Sequence, residues 1–447
     1  MKGKKLVILT SSSIVDFPRF ILARLLPPVV MKYIQLLASA CNSANDSKLS
    51  AILKVSADVG RASNATAPSS TLYMDEFKAL SFGSIESLRH ALAQMLNDQS
   101  WHPFCVSYLQ AKHAYLNLGD HKKAFQHVSE AYLLFLKLFE TPNETFWLKN
   151  TLRVLCVNLR VLGKECDKRH SRKETTYMTV EGLLKKGFQA TVASRSKEKK
   201  EAGIGVVNNM FKVYFCNNAV GSCAKTIKSF KMGCRAIDFD TLPLAQRITY
   251  RFYEGRLAIF QEDYVLAETC LNFCLEKCPK SEKSNRARIL QYLIPVRMYF
   301  GEYPSAKLLR KYGLDQYAGI LSALARGDVR SFDDHMKMNQ SFFLSRGIYL
   351  LVEKLKTTLN RNLIFKIYNI LGQSNKIDLK AILPTLQKVG SVENMDGLEC
   401  VITNLIYSGY IKGYISHAKF FLVLSKRNPC PNLADVGASK RKRERRG

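Results

Sequence analysis

Acid is scarce in this chain. Among 447 residues, 37 Asp and Glu face 67 Lys and Arg, which leaves a formal net charge of +30 and a pI near 9.7. That imbalance disfavours an acidic enzyme working without partners and favours a polyanion as ligand. Paired cysteine motifs are missing. The twelve cysteines are dispersed and none forms a CxxC, so no zinc ribbon or thioredoxin-type site is signalled. Dispersed thiols read as reduced residues of a cytosolic or nuclear protein. Cys270, Cys274 and Cys278 recur every four residues and read as small apolar residues on one helix face. A long uncharged apolar run is also lacking. Lys4-Lys5 and Leu6–Leu9 begin like a signal peptide, but Ser11–Ser13, Asp16, Pro18 and Arg19 interrupt it. Arg24, Pro27-Pro28 and Lys32 break the next apolar stretch, so no membrane span is expected.

Catalytic signatures are absent as well. There is no GxxxxGK[ST] loop, no HExxH and no GxSxG, and Gly203-Ile-Gly205 lacks the third glycine of a dinucleotide fingerprint. The eight histidines show no tight metal-ligand spacing, and His113, His121 and His127 read as surface or packing residues. The expectation is a protein that is not an enzyme and carries no cofactor or metal.

What is present is apolar material for a core, 47% of the chain with 10% aromatic. From about Trp101 to residue 370 the apolar positions recur at three- to four-residue spacing, which predicts helices. A weak repeat runs through them. Asp120 precedes Ala124 by four residues, Asp263 precedes Ala267, Glu302 precedes Ala306 and Asp328 precedes Phe332. Each acid is placed to cap a second helix, and each small residue to let two helices approach. This is the logic of a degenerate tetratricopeptide-like array, which presents binding surfaces. The predicted fold is mainly α. A TPR-like array spans 100–360 and is followed by a winged-helix module over 361–434. Residues 41–70 read as a linker or loose helices, and 1–99 have uncertain character. The segment 163–205 carries Lys164, Lys168, Arg169, Arg172, Lys173, Lys185, Lys186, Arg195, Lys197, Lys199 and Lys200. It reads as a charged, mobile insertion, or as a phosphate-contacting strip.

The winged module is read from two short helices, 361–371 and 377–388, and a third opened by a capping box, Asp396-Gly-Leu-Glu399. Strands Tyr410–Ser416 and Phe420–Ser425 follow, joined by His417-Ala-Lys419. The third helix has no Lys or Arg between residues 389 and 411 and carries Glu393, Asp396 and Glu399, which argues against base reading in a groove. The hairpin suits nucleic acid better. Alternation places Tyr410, Lys412 and Tyr414 on one face, with Ile411 and Ile415 on the other. Lys419, Lys426 and Arg427 add charge. Aromatics beside lysines predict sequence-tolerant binding of unpaired RNA or DNA. The last 47 residues hold ten basic and two acidic residues. Residues 435–447 read as a basic disordered tail, in which Lys440, Arg441, Lys442, Arg443, Arg445 and Arg446 resemble a nuclear import signal.

Several segments carry a family resemblance. They are Ala245-Gln-Arg-Ile-Thr-Tyr-Arg-Phe-Tyr-Glu-Gly-Arg256, Tyr292-Leu-Ile-Pro-Val-Arg-Met298, Leu308-Leu-Arg-Lys-Tyr312 and Arg346-Gly-Ile348. Asn404-Leu-Ile-Tyr-Ser-Gly409, Ile411-Lys-Gly-Tyr-Ile-Ser-His417 and Asn428-Pro-x-Pro431 complete the set. Together, over about residues 100–434, they resemble the family of PCI-domain-containing protein two. Its yeast counterpart is the Thp-one subunit, and signalosome subunit twelve is a related type. The resemblance implies a non-catalytic subunit of the second transcription–export complex, which couples transcription to messenger RNA export. It implies residence in the nucleus, including nuclear pores, with the cytoplasm second. The partners implied are the Sac-three/germinal-centre-associated scaffold and the small acidic Sem-one/Dss-one protein. Arg247, Arg251 and Arg256, spaced by four and five on one helix flank, are the expected contacts for that acidic partner. The alternative is a signalosome- or proteasome-lid-type PCI scaffold without nucleic-acid binding.

Overall fold

A computed structural model describes residues 28–54, 85–141, 147–169, 176–235 and 237–444. Two compact units divide at Arg247/Ile248. The array expected over 100–360 spans this division.

The first unit begins with α1 (Pro28–Asn42) and α2 (Asp46–Ile52), then α3 (Ile85–Met95), α4 (His102–Leu116) and α5 (His121–Glu140). It continues through α6 (Lys149–Arg169), α7 (Thr176–Ala193), α8 (Lys197–Cys216) and α9 (Val220–Gly233). Between α4 and α5 the buried rings of Phe104, Tyr108, Tyr132, Phe135 and Phe139 form the core. Burying each such ring contributes about 2 kcal/mol or more. The described part of the region read as linker is structured. Asp46 accepts from the backbone N–H of Asn150 (2.7 Å) and Thr151 (2.8 Å) and from the Thr151 hydroxyl (2.7 Å). A carboxylate from α2 thus caps α6, a helix more than a hundred residues away. Asn158 donates to the Leu53 carbonyl (2.7 Å), where Tyr108 also donates, so the chain end after α2 is pinned in the core. The rest of the segment read as linker, 55–70, lies outside the described residues.

The segment 163–205 is a correction. It is no mobile insertion among its described residues; it contains the end of α6, all of α7 and the start of α8. Val180, Leu183, Leu184, Gly187 and Ala190 are buried at helical spacing, while Lys185 and Lys186 point outward. Charge density alone hid an amphipathic period. Gly187 is required there, because a Cβ would lie 1.9 Å from the Tyr132 hydroxyl. Lys199 is itself buried and donates to the carbonyls of Phe139 and Thr141, both at 2.6 Å. Arg172 and Lys173 lie outside the described residues.

Helix α10 (Leu244–Phe260) leads into the second unit, which holds α11 (Tyr264–Lys277), α12 (Lys283–Tyr299), α13 (Ala306–Tyr312), α14 (Gln316–Arg326) and α15 (Val329–Met338). Short helices α16 (Gln340–Arg346) and α17 (Tyr349–Glu353) come next, then α18 (Lys356–Ile370). The acid-plus-four pattern holds at three of its four places. Asp120, Asp263 and Asp328 cap α5, α11 and α15 through side-chain oxygens, and Ala124, Ala267 and Phe332 are buried. At the remaining place Ser305, not Glu302, caps α13, and Ala306 is exposed. Pro304 stands between Glu302 and the helix, so the acid is a turn too early to reach its amides. Cys270, Cys274 and Cys278 are buried around α11, and burial pushes the Cys270 thiol up to about 12.

The winged module closes the unit. After α18 come β1 (Lys376–Asp378), α19 (Leu379–Lys388), α20 (Met395–Tyr407), β2 (Gly413–Ser416), β3 (Phe421–Leu424) and finally α21 (Leu433–Glu444). The sheet is antiparallel in the order β1-β3-β2. Ile377, Leu422 and Ile415 pair across it, and Ile377 and Leu422 are buried in the core that runs from Ala258 to Val436. The N-cap of α20 is Asn394, which accepts from Gly397 N at 2.8 Å, in place of the expected capping box at Asp396. No described helix is long and apolar enough to cross a membrane.

Candidate nucleic-acid interface

The wing is built around a short strand pair. Gly413 is required at its start, because a Cβ there would lie 2.3 Å from the Val423 carbonyl oxygen. Directly opposite residues share a sheet face, so Tyr414, Val423 and Lys376 lie side by side. Tyr414 is 63% exposed. Lys412, Lys419, Lys426 and Arg427 are exposed around the same hairpin. Lys412 is held by its backbone, which donates to Pro429 O (2.8 Å) and accepts from Ser425 N (2.8 Å).

Tyr410 is a correction. It does not join Lys412 and Tyr414, because β2 begins only at Gly413 and Tyr410 lies before it, 3% exposed. Its hydroxyl hydrogen-bonds with Thr358 (3.1 Å) and accepts from Lys440 Nζ (2.6 Å). Strict alternation fails where a turn replaces the first three strand residues. A buried ring cannot stack on a base, so the exposed aromatic of the wing is Tyr414.

Two basic residues escaped the sequence reading. Lys376 stands exposed on β1 with Nζ 4.1 Å above the Phe421 ring, and Lys380 lies 4.5 Å above Phe420. A three-residue edge strand leaves almost no periodic signal, and its cross-strand neighbours are set by pairing register. Both ammonium groups thus lie over an aromatic face at cation–π distance. On the other side, Glu399 of α20 pairs with His417 at 2.8 Å, tying the turn of the wing to the helix. Asp396 and Glu393 are exposed at the helix start. The basic surface is therefore the sheet edge and wing, and the α20 N-terminus is acidic.

The three arginines expected to meet an acidic partner are each engaged within the chain. Arg247 pairs with Asp240 at 2.6 Å. Arg251 pairs with the buried Glu254 at 2.8 Å. Arg256 stacks over the ring of Tyr292 at 4.7 Å and near Phe252 and Tyr253.

The tail also differs from expectation. Residues 433–444 form α21, and Arg441 is ion-paired with Glu268 (2.7 Å) and Glu302 (2.6 Å). The basic run was expected to stay exposed, but one acidic pair and a set of rings offset the charge of its first two members. Lys442 is exposed, and Arg445 and Arg446 lie outside the described residues. Arg443 belongs to the same helix.

A PCI-domain model matches residues 332–426, which contain α18 to β3 and end at Lys426. Similar curated proteins cover far more of the chain. "PCI domain-containing protein 2 homolog" of Dictyostelium discoideum is 36% identical over 329 residues, 69% of this chain and 74% of its own length. "PCI domain-containing protein 2" of Danio rerio is 32% identical over 360 residues, 77% and 87% of the two chains. "Protein CSN12 homolog" of Mycosarcoma maydis is 28% identical over 408 residues, 79% and 89%. With identity above 30% spread over both units and a PCI match on the winged module, this chain belongs to the PCI domain-containing protein 2 family.

Proposed function

We propose that this chain is a non-catalytic scaffold and nucleic-acid-binding subunit of a nuclear complex that couples transcription to messenger RNA export at the pore. The observation that carries the reading is the wing. Lys376, Lys412, Lys419, Lys426 and Arg427 are exposed on the same small module as the exposed Tyr414. Such a surface suits a phosphate backbone with stacking on unpaired bases and needs no base-edge code. The expected partners are the Sac-three/germinal-centre-associated scaffold and a small acidic protein of the Sem-one/Dss-one type. The chain's excess of 30 positive charges favours an acidic partner on electrostatic grounds. Because the nearby arginines already hold internal contacts, that partner would share Arg247, Arg251 and Arg256 with Asp240, Glu254 and the Tyr292 ring.

The test is to replace Lys412, Lys419, Lys426 and Arg427 together by Glu in the reconstituted complex. Affinity for single-stranded RNA of any sequence should fall at least tenfold while partners stay bound. The slope of log affinity against log salt should become shallower by about 3, the value for four lost contacts on a single strand. Unchanged affinity removes the wing as the contact surface. The exposed lysines of 164–200 are then the next candidate.

A second reading is favoured by the similarity to a protein named for signalosome subunit twelve. In it the chain is a PCI scaffold without direct nucleic-acid contact. Affinity purification with mass spectrometry separates the two. Recovery of the export scaffold with a small acidic protein supports the first, and recovery of signalosome or proteasome-lid subunits supports the second.

A further inference from the structure

Two glycines let the C-terminal helix come unusually close to the second unit's core. Gly301 has φ +85°, and a Cβ there would lie 2.6 Å from the Leu433 carbonyl oxygen. Gly437, inside α21, faces the neighbouring peptide, and a Cβ there would lie 1.8 Å from the Phe300 carbonyl oxygen. Side chains cannot occupy either place, so backbone packs on backbone across the turn after α12. Val436 is buried beside this contact.

One turn further, two basic side chains enter a shaped site. Lys440 Nζ lies 4.0 Å above the Tyr299 ring and 4.6 Å above the Tyr410 ring. It donates to the Tyr410 hydroxyl at 2.6 Å. Arg441 grips Glu268 with two bonds, Nε to Oε2 at 2.8 Å and Nη2 to Oε1 at 2.7 Å. Its Nη2 also donates to Glu302 at 2.6 Å, and its guanidinium lies 4.4 Å above the Phe300 ring. The Glu268 side chain is 13% exposed, so this fork is not an ordinary surface pair. Arg and Lys have separate places here. The fork takes the planar guanidinium, and the slot between two tyrosines takes the ammonium.

We propose that Glu268, Glu302, Tyr299, Phe300 and Tyr410 form a receptor for a Lys-Arg pair, which the chain fills with its own C-terminal helix. The helix is then a latch. It withholds Lys440 and Arg441 from the basic run that continues to Arg446, and recognition of the run as one continuous segment requires the latch to open. This inference rests on the packing of α21 and does not depend on whether the wing binds RNA.

A free helix and a docked helix respond in opposite directions to Gly437→Ala. In a free helix, Ala in place of Gly favours the helical state by about fivefold. In the docked helix, the added methyl meets the Phe300 backbone and expels it. The experiment is hydrogen exchange of amides 433–444 in the full chain, read by mass spectrometry, with tryptic cleavage after Lys440 to Arg443 as the second readout. Gly437→Ala and the pair E268Q/E302Q should each lower protection of α21 at least tenfold and speed cleavage to match. Arg441→Glu, a change in the tail that leaves the core residues intact, should do the same. Combining it with Glu268→Arg should recover part of the loss. The proposal fails if Gly437→Ala raises protection, if Arg441→Glu leaves it unchanged, or if the wild-type helix exchanges as fast as unstructured chain.

Discussion

Single residues in this protein are governed by what surrounds them more than by their type. Lys112 is the sharpest case. Its ammonium lies 4.5 Å from the Tyr33 ring centre and donates to the Ile52 carbonyl at 3.1 Å. Burial lowers its pKa from 10.5 to about 7. Between those two values the unfolded chain binds more protons than the folded one. The contribution of Lys112 to stability therefore rises with pH through that window, and the cost of burying its charge is fully felt below it. Lys112→Met removes the titration. The melting temperature of the wild type relative to this variant should rise by on the order of 5 °C from pH 7 to pH 9. A difference that stays flat over that range contradicts the assignment. The same dependence on surroundings separates two tyrosines of the wing. Tyr410 and Tyr414 are equivalent in an alternating pattern, yet one is buried against Thr358 and Lys440 and the other faces solvent.

At the scale of elements, the long amphipathic helices were legible because their apolar spacing repeats over many turns. Three of the four acid-led caps were legible too, because a cap is a local event between residues three apart. Three features were not. The helices of 163–205 were masked by surface lysines, strand β1 is too short to show a period, and α21 is stabilised by distant residues. The cap on α6 belongs with these. Its acceptor, Asp46, comes from another helix, so no local pattern announces it. Asp46→Ala should destabilise the first unit by about 1–2 kcal/mol, since two amides and a hydroxyl lose their acceptor. Urea unfolding followed by a probe in that unit checks it, with a midpoint shift at nearly constant m. If the variant unfolds like the wild type, the Asp46 cap contributes nothing to the stability of that unit.

On the whole-molecule scale the dominant quantity is charge. The excess of basic residues is spread along the chain, but the structure sorts it into groups of different use. Some are consumed internally, as at Lys199 and Arg441, some cover aromatic rings, as at Lys376, and some face solvent around the wing. The import reading of the tail is best tested on residues beyond the docked pair. Replacing Lys442, Arg443, Arg445 and Arg446 by Ala should lower nuclear enrichment of the tagged full-length protein severalfold while α21 stays protected from exchange. Full nuclear retention would mean that import depends on a partner. The sequence by itself determined the helical class, the winged module and the family resemblance, because these rest on local periodicity and on long matching segments. Only the tertiary structure decided which basic and aromatic residues are available. A buried tyrosine, a paired arginine and a docked tail owe their state to residues tens to hundreds of positions away, and that proximity exists only once the chain has packed.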